Sequence, residues 1–375
     1  MLKSINIYES ISDYESGYDN RPKKSLSVIR EKNNKKRMVD AHVKSGFITF
    51  TAEEAGSTIG LAKLSTYQLL EYTTDNVFKP SPVWQKMDVD TVITLENTGD
   101  MVHFRGVLSG NNTDINYTQF TMTGKMAASG NCNALWNYMK LNAHLKEHCG
   151  YYMFSNCTSL TTTPELPATT LAFYCYKSMF SGCTSLTTAP ELPATTLAYA
   201  CYNSMFSGCT SLTKAPELPA TTLASSCYIG MFKGCTSLTS TPELPATTLT
   251  IQCYYRMFSG CTSLIQAPEL PATTLADYCY ESMFLGCTSL TTAPELPATT
   301  LAYECYKSMF QGCSNLNYIK CLATDISATS TSNWVNGVYP TGTFVKASGI
   351  SWSTGTNGIP SGWEVIEEDI EVVEE

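Results

Sequence analysis

Cys175-Tyr-Lys-Ser-Met-Phe-Ser-Gly-Cys183-Thr-Ser-Leu-Thr-Thr-Ala-Pro190-Glu-Leu-Pro-Ala-Thr-Thr-Leu-Ala-Tyr199-Ala200 is one copy of a 26-residue unit that recurs without insertion or deletion. Counted from its first cysteine as position 1, the unit begins at Cys149, Cys175, Cys201, Cys227, Cys253, Cys279 and Cys305. A strict period in this range means a stacked solenoid, in which each unit buries its apolar face against its neighbours. Such a chain displays a long surface, and the expectation is a scaffold rather than an enzyme.

Positions 1, 2, 5, 6 and 9 read Cys, Tyr, Met, Phe and Cys, which is one face of a helical turn or two. Position 8 is Gly, or Asn156 in the first copy, and both tolerate the left-handed stop that ends a helix. A short strand follows and must finish before the first proline, because proline cannot donate to a sheet ladder. Leu at position 12 points inward, while Ser at 11 and Thr at 13 point out. Stacked units then build a parallel sheet with strands ~4.8 Å apart. Leu at positions 18 and 23 closes the core.

Fourteen of the sixteen cysteines are locked to positions 1 and 9. Within a helical unit these lie roughly 12 Å apart, too far for a disulfide. Buried free thiols in a core ladder are the favoured reading. Bridges between neighbouring units and metal binding are the alternatives. Cys132, with Leu135, matches the Cys-x-x-Leu of position 9 and is read as a degenerate entry unit. Cys321 belongs to the exit unit.

The phrase Met-Phe-x-Gly-Cys-x-x-Leu, followed by Leu-Pro and a return Leu, resembles the BspA-like leucine-rich repeats. The resemblance covers about residues 130–328. The closing Gly355-Thr-Asn-Gly-Ile-Pro-Ser-Gly-Trp363 is similar to the tail of gut Bacteroides and phage proteins that carry such repeats. It implies a leucine-rich-repeat-like α/β solenoid, surface display, and adhesion or recognition without catalysis.

The flanks differ in character. Residues 1–45 carry the basic run Arg30, Lys32, Lys35, Lys36 and Arg37, read as an arm or linker that could anchor on an acidic surface. In 46–128, segments at 47–51, 59–64, 69–73, 92–95, 101–105 and 120–123 read as strands, giving a β-sandwich-like domain that caps the solenoid. Trp84, Tyr67 and Tyr72 there are core aromatics or, alternatively, sugar-stacking rings. The solenoid is expected over 129–328. A β-rich C-terminal cap follows over 329–366, and then an acidic tail over 367–375, with the chain from Glu364 onward expected to be disordered.

Net charge is −9 and only 15% of residues are charged, which argues against nucleic acid as a partner. No apolar stretch is long enough to span a membrane. The start reads as lacking a signal-peptide core, which favours a virion surface protein. The alternative location is the bacterial cell surface, or secretion. No phosphate loop, nucleophile elbow, dinucleotide fingerprint or zincin motif is found, and no cofactor is implied. His144 and His148 lie four apart, but ordinary surface is preferred to zinc.

Two surface features remain. Glu165, Glu191, Glu217, Glu243, Glu269 and Glu295 form a ladder at position 17. At ~5 Å neighbours repel by about 0.8 kcal/mol in water, tolerable in a solvated stripe and a possible cation site. The Thr and Ser ladders at positions 10, 11 and 13 are strand stacking first, and a glycan- or ice-facing hydroxyl array only as an alternative. The copies differ at positions 3, 7, 25 and 26. Tyr174, Lys177, Tyr199, Asn203, Ile229, Gln252, Tyr255, Tyr278, Glu281, Tyr303 and Lys307 are the candidate binding residues of that variable face. The leading expectation is a phage tail or head fibre binding bacterial surface polysaccharide or protein, docked to other virion proteins by the basic arm. The alternative is a bacterial adhesin for host matrix, mucin or other bacteria.

Overall fold

The computed structural model describes residues 46–369, apart from short stretches at 67, 78–80, 109–112, 114, 138–144 and 328. The basic arm, Tyr67, His144 and the last six residues lie outside the described residues.

Positions 1–8 of each unit do not form the expected helix. They form a ribbon of overlapping turns in which backbone donors alternate between two kinds of partner. In the copy at Cys175, Lys177 N–H donates three residues back to Tyr174 (3.3 Å), Met179 to Tyr176 (3.1 Å) and Ser181 to Ser178 (3.2 Å). The amides between them donate to the next unit: Ser178 to Asn203 (2.8 Å), Phe180 to Met205 (3.0 Å) and Gly182 to Ser207 (2.7 Å). An α-helix spends every donor four residues back on itself and offers nothing to a neighbour. The ribbon instead bonds each coil to the next, at the cost of left-handed backbone at positions 26, 4 and 8. In the copy at Cys201 these are Ala200 (φ 52°), Ser204 (55°) and Gly208 (75°). Among the described residues the one α-helix is α1, Asn133–Asn137.

The expected inward set is otherwise correct. The Cys, Tyr, Met, Phe, Cys and Leu of positions 1, 2, 5, 6, 9 and 12 are buried from Cys175 to Leu316. Like side chains stack on like. Phe180, Phe206, Phe232, Phe258, Phe284 and Phe310 repeat at 5.7–5.8 Å with near-parallel rings. Tyr176 to Tyr306 form a second column at 5.8–6.1 Å. These are offset stacks inside the favourable range for aromatic pairs.

All sixteen cysteines are buried free thiols. Each position-9 thiol from Cys183 to Cys313 donates to the Phe carbonyl at position 6 of the preceding unit, at 3.0–3.2 Å. A small apolar side chain with a weak donor suits that place. The strand is shorter than expected. Full strands occur in the first unit (β9, Leu160–Thr162) and the exit unit (β10, Tyr318–Cys321). Between them the described ladder narrows to single parallel bridges, as at Thr188, Lys214 and Ser240.

The N-terminal part contains β1 (Ile48–Ala52), β2 (Ser57–Lys63), β3 (Leu69–Thr73), β4 (Gln85–Lys86), β5 (Ile93–Leu95), β6 (Met101–Val107), β7 (Gln119–Thr123) and β8 (Met126–Gly130). One sheet runs β4-β3-β6-β1-β8-β9 and the other β5-β2-β7. Phe50 and Phe104 of the first sheet meet Phe120 of the second at 5.3–5.8 Å.

This part is not separate from the repeats. β8 pairs in parallel with β9, Phe120 N–H donates to Met153, and Cys157 donates to the Phe120 carbonyl. Phe120 therefore fills position 6 and Met126 position 12 of the entry coil. Cys132, expected at position 9, lies instead beside Glu165, with its N–H on that carbonyl at 3.0 Å. The entry coil thus begins before residue 129, within the segment assigned to the sandwich.

The repeat also does not stop at Asp325. β11 (Thr343–Ala347) and β12 (Glu364–Glu368) extend β10 as a parallel sheet, so the chain completes further coils of altered length. Trp334 ends both aromatic columns, 6.2 Å from Tyr306 and from Phe310, and its Nε1–H donates to the Gly358 carbonyl. The acidic end, expected to be disordered from Glu364, is strand through Glu368. Its carboxylates are used: Glu367 pairs with Lys346 (2.5 Å) and Glu368 with Lys320 (2.8 Å).

Two outcomes follow from the ribbon and its thiols. Far-UV circular dichroism of the full chain will lack the double minimum of an α-helix; a strongly helical spectrum would contradict the ribbon. Burial pushes Cys157, Cys201, Cys209, Cys253 and Cys287 up to about 12, against about 8.5 for an unfolded thiol. The folded chain therefore holds these protons more tightly. Their contribution is complete below about pH 8.5 and is lost as pH rises toward 12. Urea midpoints should fall steeply over that interval in reducing buffer.

Candidate binding surface

The ribbon decides which variable residues reach solvent. Position 25 projects: Phe173 (51% exposed), Tyr199 (42%), Ile251 (51%) and Tyr303 (49%) stand in one row with exposed Asp277. Exposed bulky apolar groups scattered singly need no explanation, but a row does. Position 26 takes left-handed backbone and tucks in. Ala200 and Ser226 are buried there, and Tyr174, Gln252, Tyr278 and Glu304 half-buried. At position 3, Lys177, Asn203, Ile229, Tyr255 and Lys307 are half-buried.

Glu281, expected on the surface, is buried at 7% exposure. Its carboxyl is pushed up by burial and drawn back by Lys307 3.5 Å away. Lys307 also binds Glu304 at 2.6 Å, and that hydrogen bond holds Glu304 below, and Lys307 above, its ordinary value.

Chemistry changes along the row. At the first coils, rings touch in succession: Tyr117 to Tyr151 (5.4 Å), Tyr151 to His148 (5.4 Å), His148 to Tyr174 (4.8 Å) and Tyr174 to Tyr199 (5.3 Å). Lys177 Nζ lies 5.3 Å and 5.1 Å from the Tyr151 and Tyr174 centroids, within cation–π range. The middle coils carry Ser225, Ser226, Ile229, Ile251 and Gln252. The last coils again join rings, Tyr278 to Tyr303 at 5.4 Å, now among Asp277, Glu281, Glu304 and Lys307.

Position 17 lies on a different face. Its six glutamates are all exposed, and Glu295 is paired with Lys320. Between adjacent units this face opens into grooves of about 670 Å³ and 510 Å³. The first is lined by Gln266, Glu269 and Glu295 among others, and the second by Lys214, Glu191 and Glu217. Positions 13 and 14, where Lys214, Ile265 and Gln266 interrupt a run of threonines, were not in the candidate set. Their variation between copies was the available signal.

Of the N-terminal aromatics read as core or, alternatively, as sugar-stacking rings, Trp84 and Tyr72 are engaged within the protein. The Arg105 guanidinium covers Trp84 at 4.1 Å while bonding Glu71. Tyr72 packs on Phe104 and donates to Gln85. Among the described residues no His, Cys, Asp and Glu group is disposed to hold a metal, and no helix is long and apolar enough to cross a membrane.

A family model described as BspA type Leucine rich repeat region (6 copies) matches residues 123–264 and 225–333, together more than half of the chain. No curated protein and no solved structure matches it.

The left-handed positions give a paired test. Gly234 has φ 73° and room for a methyl, its nearest neighbour being Gly208 Cα at 3.8 Å. Gly234→Ala should therefore cost the backbone penalty alone, roughly 1–2 kcal/mol. Ser308 (φ 52°) occupies position 4. Ser308→Gly should gain up to about 1 kcal/mol once the entropy cost of glycine is subtracted. Denaturant midpoints of the two variants should move in opposite directions.

Proposed function

The chain belongs to the BspA-type leucine-rich repeat family, and we propose from that premise that it is a non-catalytic, adhesion-type surface recognition protein. The position-25 row is its contact surface. The observation that carries this is the division of labour in the repeat. Positions 1, 2, 5, 6, 9 and 12 are nearly invariant and buried, whereas the exposed row changes identity from coil to coil while keeping large rings at both ends. A passive spacer has no reason to hold Phe173, Tyr199, Ile251 and Tyr303 in water.

The finer reading is a virion tail or head fibre. The solenoid meets the bacterial host surface, and the basic run at Arg30–Arg37 docks on other virion proteins. A cell-surface adhesin for mucin, host matrix or other bacteria is the second reading, supported by the same row. Labelled full-length chain incubated with intact bacteria, capsulated and capsule-deficient, and with immobilised mucin and fibronectin separates the two. Capsule-dependent attachment to cells supports the fibre, and attachment to mucin or matrix alone supports the adhesin. In either case Tyr199→Ala and Tyr303→Ala should each weaken attachment by about 1–2 kcal/mol with an unchanged melting temperature. Full attachment by a variant lacking all four large side chains of the row, made by Phe173→Ala, Tyr199→Ala, Ile251→Ala and Tyr303→Ala, would overturn the assignment.

A further inference from the structure

We infer that the aromatic cluster at the first coils, around His148, Tyr152, Phe173, Tyr174, Lys177 and Tyr199, is a binding site for an acidic polysaccharide; this rests on the surface-recognition reading above.

The first observation is strain. Positions 26 and 4 need left-handed backbone, and several coils meet that need with Ala, Ser or Gly, as at Ala200, Ser204, Ser226 and Gly230. The first coils place His148 (φ 58°), Tyr152 (52°) and Tyr174 (58°) there instead, as later coils place Gln252 (57°), Arg256 (54°), Tyr278 (59°) and Glu304 (50°). Left-handed backbone costs a bulky L-residue more than it costs glycine. Three such residues within two coils work against stability, and strain of this kind persists where function requires the side chain.

The second observation is that the strained residues share one cluster. Tyr152 meets Tyr151 at 4.6 Å, His148 stacks on Tyr174 at 4.8 Å, and Tyr174 meets Tyr199 edge-on at 5.3 Å. Phe173 and Tyr199 stand half in water beside them. Apart from Phe173, the surface is made of rings with hydroxyl or imidazole tips. Such rings present an apolar face and a polar edge together, which matches a pyranose, whose faces carry C–H bonds and whose rim carries hydroxyls. A protein hot spot would favour a deep, fully desolvated pocket, and neither groove lies here: both are lined by positions 13–19, on the face of the position-17 glutamates.

The third observation is charge. Lys177 Nζ stands over Tyr151 and Tyr174, and exposed Lys146 lies in the same coil, with Glu147 as the nearby acid. The ring pair at the last coils is set instead among Asp277, Glu281 and Glu304, where Lys307 is already paired with Glu281 and Glu304. The first cluster therefore selects a carboxylate- or sulfate-bearing sugar, and the last does not.

The test is equilibrium binding of the full chain to a panel of uronate, sialylated and sulfated polysaccharides, with dextran as the neutral probe. One or more acidic polymers should bind, dextran should not, and binding should weaken with salt. Tyr199→Ala and Phe173→Ala should each reduce affinity about tenfold or more. Lys177→Gln should reduce affinity and flatten the salt dependence, whereas Tyr303→Ala, at the far end of the row, should reduce polysaccharide affinity much less than Tyr199→Ala does. If no acidic polymer binds, yet attachment to cells or mucin is lost in Tyr199→Ala, the polysaccharide assignment fails and the site takes a protein. If the quadruple variant of the row attaches normally, the recognition reading itself fails. Equal loss in Tyr303→Ala would overturn the placement at the first coils.

Discussion

Everything in this chain depends on backbone hydrogen bonds that run from one coil to the next through the turn ribbon. Alternate amides from position 26 to position 8 donate to carbonyls of the following coil, at 2.7–3.2 Å over most of the stack. A buried amide without a partner costs free energy comparable to a lost hydrogen bond. One inserted residue would move every such donor off its acceptor at once. That is why the period is held at 26 through the ribbon of each unit. The first change of length falls after the ribbon of the Cys305 unit, where Leu296 bridges Cys321 at one residue less. The thiol ladder serves the same register. Each position-9 cysteine reaches back to a Phe carbonyl whose own amide donates forward into the cysteine's coil, so thiol and amide fasten the same two coils together.

A stack of this kind must end, because an open coil presents unpaired donors and acceptors to any second copy. The N-terminal sheets close one end by becoming a coil themselves, Phe120 standing under Phe154 at 5.3 Å as if it were one more rung. The other end is closed by size and charge. Trp334 covers two columns with one side chain and stacks on Trp352 at 5.6 Å. β12 then presents exposed side chains, three of them glutamate, along the last edge. The position-17 glutamates also find a terminus, since Lys320 stands between Glu295 and Glu368 and neutralises the last rung of an otherwise uncompensated stripe.

The inward set was legible because repetition displays the core directly: the constant apolar residues of positions 1, 2, 5, 6, 9 and 12 are buried from Cys175 to Leu316, while the equally constant glutamate of position 17 is solvated. The conformation carrying it was not. Apolar residues at positions 1, 2, 5, 6 and 9 satisfy a helix and a four-residue turn ribbon equally, and periodicity alone does not separate them. Gly at position 8 announced left-handed backbone. Ser, Arg, Gln and Tyr at positions 4 and 26 concealed it, since none prefers that region. The same concealment blurred the candidate site. With a helix assumed, positions 25, 26, 3 and 7 form one face. In the ribbon, position 25 projects while 26 folds under, so Tyr199 and Tyr303 reach solvent and Glu281 does not. Cys132 misled through a local match, and the entry coil was hidden because Phe120 and Met126 carry its rungs without its consensus. The acidic end was read from composition, which does not see that Lys346 and Lys320 wait for Glu367 and Glu368.

A perfect repeat is a poor recognition surface, because identical rungs give a ligand no reason to choose one register over another. This chain separates the two demands within each unit. Positions that stack are held constant, and the stacking energy of two aromatic columns and a thiol ladder supports a few residues that fit their backbone badly. Tyr174 is the clearest case: its amide makes the same bond to the next coil as its counterparts, so the ribbon does not require a tyrosine there and would be better served by glycine. What the ring adds is outside the core, in the chain of contacts from His148 to Tyr199. The row then runs from rings beside lysine, through serine and isoleucine, to rings beside carboxylates. That polarity breaks the translational symmetry the core imposes, and it gives an elongated ligand one direction and one place to bind.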